Sequence, residues 1–153
     1  MYILLFNVAG IAIVGWIFMI FAPGWSVTKR VAEHAWFPVF LALLYLIGIV
    51  PLMIGLGPGV MADFGNADGV MRLLTDGDVA MVVWIHILVF DHLVGVFVYR
   101  DNMMHKIVSM PVQSAILFLT LMFGPVGFLI YYSLRVMRGA GPAIGGPKSS
   151  SPA

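Results

Sequence analysis

Asp91 stands in the run Trp84-Ile-His86-Ile-Leu-Val-Phe-Asp91-His92-Leu-Val-Gly95, which is otherwise apolar. A carboxylate and two imidazoles are suitable groups for moving protons in a dry site. A carboxylate near the middle of a membrane span is also costly unless it is paired, hydrated or protonated. At roughly 100° per residue, Asp91 shares a helix face with Trp84, Leu88, Gly95 and Val98. Gly95, about one turn on, leaves room for another helix to approach that face. His92 points about 100° away from Asp91 and His86 about 140° away. The three groups do not form one stripe, so their partners are expected on other helices, on a second subunit, on a ligand or in water. The plainer alternative is an aspartate that pins two helices together, with histidines as satisfied polar contacts. His86 and His92 are six residues apart and do not share a face as an i, i+4 pair does. The chain has no cysteine. No metal is expected, and proton transfer calls for no cofactor.

A second run, Phe123-Gly124-Pro125-Val126-Gly127-Phe128-Leu-Ile-Tyr131-Tyr132, interrupts another apolar stretch. Pro125 would remove a helical hydrogen bond and free the carbonyl of Leu121. A kinked packing helix is the simple expectation, with Gly124 and Gly127 allowing close contact. The sharper one is a groove beside the kink for a flat, rigid lipid such as a polyene. Trp84, Phe90, Phe97, Phe123 and Phe128 are the aromatic candidates to line it, although aromatics at helical spacing also build ordinary cores. The 11 methionines suit an adaptable apolar lining or a tolerant core equally.

The elements that must position these residues follow from composition. Of 153 residues, 61% are hydrophobic and 10% charged, where a soluble domain carries roughly 25% charged residues. Disorder throughout, a nucleic-acid-binding surface and an ordinary soluble enzyme are excluded. Four stretches are long enough to cross a bilayer: about 2–21, 37–56, 79–99 and 112–134. Within them Asp91 is the sole charged residue. The expected fold is an all-α integral membrane four-helix bundle over residues 1–138, followed by a disordered Gly/Pro/Ser tail over 139–153. Val70, Met71, Leu73 and Leu74 suit a short interfacial helix between the second and third spans. The first span reads as a retained anchor, because it is too long for a signal peptide and lacks a basic start.

Four crossings would put both termini on one side. Lys29, Arg30, Arg100 and Lys106 would then oppose Arg72, Arg135, Arg138 and Lys148. That balance leaves the positive-inside rule without a decision.

His86-x-x-x-x-Asp91-x-x-x-Gly95, a short turn, Pro111, and then Phe123-Gly124-Pro125-x-Gly127-x-x-x-Tyr131 resemble the abscisic-acid-deficient-4-like family of neoxanthin-synthase-related membrane proteins. The resemblance covers Val79 to Tyr132; the first two spans agree in hydropathy and number. Plant members are required to form neoxanthin from violaxanthin in plastid membranes. The chain starts directly in a span, without an Arg/Ser-rich transit peptide, and so resembles a bacterial-type or matured member. The resemblance implies a carotenoid or related isoprenoid as ligand and a bacterial inner membrane or photosynthetic membrane as location.

Opening a 5,6-epoxide to an allene is an internal isomerisation that needs an acid at the epoxide oxygen and a base at a vinylic proton. A protonated Asp91 suits the first role, and a neutral His86 or His92 the second. Trp84, Gly95, Phe123, Gly124, Pro125, Gly127 and Tyr131 are the expected ligand-binding positions. The alternative is a non-catalytic pigment- or lipid-binding subunit, associated with a protein partner or a second copy of itself, in a larger complex, a photosynthetic one among the candidates. A small proton-linked carrier using Asp91 is disfavoured, because one carboxylate and no inverted repeat do not make a transport path.

Overall fold

The computed structural model describes residues 1–139, and the described residues are helical with short connections. In chain order they form α1 (Tyr2–Phe21), α2 (Ser26–Glu33), α3 (Trp36–Leu56), a single turn at Val60–Asp63, α4 (Ala67–Thr75), α5 (Gly77–His105) and α6 (Met110–Met137). The all-α expectation holds. So does the expectation of four helices long and apolar enough to cross a membrane, namely α1, α3, α5 and α6. The tail from 140 onward, where its disorder was expected, lies outside the described residues.

Local chemistry sets the helix ends. Ala22 leaves helical geometry ahead of Pro23-Gly24 and ends α1. Gly57, at φ 73°, ends α3 in a conformation that glycine adopts without steric cost. Asn66 caps α4 by accepting from the Gly69 N–H at 2.7 Å, and Asp76 caps α5 by accepting from the Asp78 and Val79 N–H groups. The expected interfacial helix is α4, with Val70 and Leu73 half-buried and Met71 exposed. The short amphipathic α2 was not anticipated.

Helix α5 is the axis of the molecule and packs against α1, α3 and α6. Leu5, Ala9, Leu41, Leu44, Ile85 and Val89 fill one half of the bundle, and Trp16, Val98, Tyr99, Leu117 and Tyr131 the other. The two ends differ in charge. The start of α5, the neighbouring α4 and the turn and connection beside them carry Asp63, Asp68, Asp76 and Asp78; this is the acidic end. The finish of α5 lies beside Lys29 and Arg100, and is the basic end.

Helix α6 is not one straight rod. Phe123 leaves helical geometry at φ −142°, ψ 46°. A side chain added at Gly127 would collide with the Thr120 hydroxyl, backbone nitrogen and Cα. Seven residues along a straight helix would be roughly 10 Å apart, so the chain turns back on itself here. The contacts of the two legs agree. Gln113, on the outgoing leg, accepts a hydrogen bond from Asn102, while Tyr131 and Arg135, on the return leg, bind the adjacent Asp101. Both legs therefore have their feet at the basic end, and the tip lies at Phe123-Gly124.

This corrects the expected role of Pro125. The break falls at Phe123, two residues before the proline, so Pro125 does not interrupt a continuous helix. It occupies the first turn of the return leg, where a missing N–H leaves no helical hydrogen bond unmade. Gly127 lets the two legs touch, and Ser114 Oγ ties the outgoing leg to the Ile20 carbonyl of α1 at 2.6 Å.

Candidate functional site

The tip of this hairpin meets the middle of α5 at Asp91. A side chain at Gly124 would collide with the Asp91 carboxylate, so glycine is what admits the acid to the tip. Asp91 is half-buried and accepts no hydrogen bond from the described residues. The start of the return leg faces it, and a helix start carries positive partial charge suited to an anion or a polar ligand atom. The two runs singled out in the sequence are thus brought into contact, through Asp91 and Gly124.

The histidines lie elsewhere. His92 is enclosed, with its ring 5.0 Å from that of Trp16 and 5.6 Å from that of Phe37. Its Nε2 has no hydrogen-bond partner among the described residues and packs at Gly15, beside a cavity of about 10 Å³. That space approaches the size of one water. His86 is exposed on the outside of α5, between Tyr45 and Phe90 at ring distances of 5.2 and 4.8 Å. It also borders an apolar pocket of about 340 Å³ beneath α4, walled by Tyr45, Ile49, Leu73 and Val82. Asp91, His86 and His92 therefore occupy three different surroundings.

The other expected positions also divide. Phe123 and Trp84 point outward, 62% and 48% exposed, toward the lipid side of the bundle. Gly95 admits the Trp16 ring of α1, the close approach its position suggested. Gly127 serves contact between the legs. Tyr131 is fully buried, and its hydroxyl donates to Asp101 Oδ2 at 2.6 Å. Its place in the structure is the foot of the hairpin, not the tip.

That foot holds the polar cluster which the spacing argument missed. Arg135 Nε donates to Asp101 Oδ2 at 2.8 Å and Nη2 donates to Oδ1 at 3.2 Å, with His105 Nδ1 3.1 Å from the same Oδ1. Beside it, Asn102 bridges the Val108 backbone and Gln113. A signal was present: Tyr131 and Arg135, at i and i+4, put a phenol and a guanidinium on one helix face. On a straight α6 that face would lie at the other end of α5. Among the described residues there is no group of three or more histidine and acidic side chains able to hold a metal ion.

An all-helical membrane protein with a doubled-back helix aimed at an intramembrane carboxylate is the class these features define. Residues 4–131 match the family model described as ABA DEFICIENT 4-like, and the chain belongs to that family. No curated protein and no solved structure matches it. The family match supports a neoxanthin-synthase-like, carotenoid-related relationship, and it covers both runs on which the resemblance rests.

Proposed function

We propose that the protein acts in carotenoid isomerisation in the membrane, with Asp91 donating the proton at the hairpin tip. The observation that carries this reading is the unpartnered Asp91 carboxylate against Gly124. An intramembrane acid without a protein hydrogen bond is costly to keep and is suited to a ligand or a transferable proton. In an epoxide-to-allene isomerisation, Asp91 would protonate the epoxide oxygen as its C–O bond breaks. A base would remove the vinylic proton, and the net change is internal. His86 is the candidate base, since it faces the lipid from which a polyene arrives. His92 is enclosed by Trp16, Phe37 and Gly15 and is better suited to packing.

The test is expression in a host that accumulates an epoxy-carotenoid, followed by separation and mass analysis of the pigments. Wild type should convert the pigment, and Asp91→Asn should abolish conversion while melting like wild type. Full conversion by the folded variant would overturn the assignment. The separation of Asp91 from both histidines favours one second reading, a pigment-holding subunit without chemistry of its own. In that case pigment co-purifies chemically unchanged with both proteins.

A further inference from the structure

The doubled-back α6 changes which charges share a membrane face. With both legs rooted at the basic end, Arg135 and Arg138 join Lys29, Arg30, Arg100 and Lys106. Among the described residues, Arg72 is the single Lys or Arg at the acidic end. The balance expected for four crossings becomes six against one. That asymmetry orients the basic end toward the cytoplasm, which is also the side of the anionic leaflet.

The same folding-back builds a pocket between the feet. It has a volume of about 290 Å³ and lies between the α5–α6 turn and the end of the return leg. Lys106 comes from the turn, Arg138 from the end of the return leg, and Ser109 from the start of the outgoing leg. A continuous helix would hold Arg138 about 40 Å from Ser109. Lys106 and Arg138 make no ion pair with the described residues. Met103, Val108 and Met110 supply an apolar wall beside the cations. Two unpaired cations over an apolar wall, at the level where a membrane surface would lie, fit a phosphate joined to a greasy body.

We propose that α6 is a re-entrant hairpin which leaves the membrane on the side it entered, and that the pocket between its feet binds the phosphate of an anionic phospholipid through Lys106 and Arg138. The chain then crosses the membrane three times, with its amino terminus outside and its return leg ending in the cytoplasm. The site lies at the opposite end of the hairpin from Asp91 and does not depend on the isomerase reading.

Topology is tested in intact cells with a membrane-impermeant maleimide, and the cysteine-free chain needs no background substitutions. Asp68→Cys should label from outside. Ser109→Cys and Met137→Cys should both label only after the membrane is opened. Labelling of Met137→Cys but not Ser109→Cys from outside would show a fourth crossing and overturn the proposal. Lipid binding is read by native mass spectrometry of detergent-purified protein titrated with phosphatidylglycerol or phosphatidylcholine. Phosphatidylglycerol should be retained preferentially, and Lys106→Gln with Arg138→Gln should weaken it by about thirtyfold, as expected for losing two surface cations. Lys29→Gln with Arg30→Gln, which removes the same charge elsewhere on that face, should change it much less. Equal losses in the two double variants would reduce the site to diffuse surface charge and overturn it. Inorganic phosphate at millimolar concentration should not displace the lipid; displacement would identify a free-anion site instead.

Discussion

The foot and the tip of the α6 hairpin each present a carboxylate of α5, ten residues apart in the chain, and the two are treated in opposite ways. At the foot, Asp101 receives the Tyr131 hydroxyl, two guanidinium N–H groups of Arg135 and the neighbouring His105. At the tip, Asp91 meets the bare backbone of Gly124 and receives no hydrogen bond from the described residues. A buried charge with all its partners present holds structure together. One left without partners costs stability and survives for another reason. The contrast gives Asp101 an architectural part, and on the proposed function it leaves Asp91, the one charge in an otherwise uncharged apolar span, for chemistry.

The largest effect is expected from breaking the foot. Arg135→Ala leaves Asp101 without its ion-pair partner in a largely buried setting, which should cost about 3–5 kcal/mol. Thermal unfolding in mild detergent reads this directly. Replacing both partners, as Asp101→Leu with Arg135→Met, should recover much of the loss, because a buried apolar pair avoids the stranded charge. A single variant that melts with wild type would make the pair incidental and remove one side of the contrast.

Glycines at the turn give the next effects, and they are unequal. Gly127→Ala drives a methyl group into the Thr120 backbone, which cannot swing away. About 1–3 kcal/mol is expected, the usual range for overpacking. Gly124→Ala meets only the end of the Asp91 side chain. Its cost should be smaller and should vanish when Asp91→Ala is added. That coupling, measured as a double-mutant cycle, tests the Asp91–Gly124 contact itself. Additive costs would separate the tip from α5. Tyr131→Phe removes one hydrogen bond from a carboxylate that keeps Arg135, and should cost about 1.5 kcal/mol, the low end for a bond to a charged group.

How much of this was legible before the fold was known follows from the kind of signal each feature leaves. The four apolar stretches were legible because a bilayer demands length and greasiness, which composition records. The meeting of Asp91 with the Gly-Pro-x-Gly run was half legible. Both runs stood out, but nothing local stated that they touch. The doubling-back was not legible from Pro125, because proline at a helix start and proline at a helix kink look identical in sequence. What separates them is Phe123, a residue that fits an ordinary helix and leaves it here. The placement of the residues that follow depends on that point. Tyr131 meets Asp101 at the foot because the return leg runs back along α5, and the even division of charges expected for four crossings becomes uneven only if α6 is re-entrant, as proposed.

Asp91→Asn should have the smallest effect on stability and separates the two carboxylates most sharply. No hydrogen bond to the described residues is lost with its acid group, so the melting temperature should stay within the shift expected from about 0.5 kcal/mol. The amide keeps the shape that fits against Gly124. Any loss of pigment conversion then belongs to the acid function and not to the fold. If this variant instead unfolds as readily as Arg135→Ala, Asp91 is a structural pin like Asp101, and the tip has no claim to chemistry that the foot lacks. A folded Asp91→Asn that binds pigment but leaves it unconverted would place the proton transfer on this one carboxylate. The same variant, if it no longer bound pigment at all, would place recognition of the polar end group there instead.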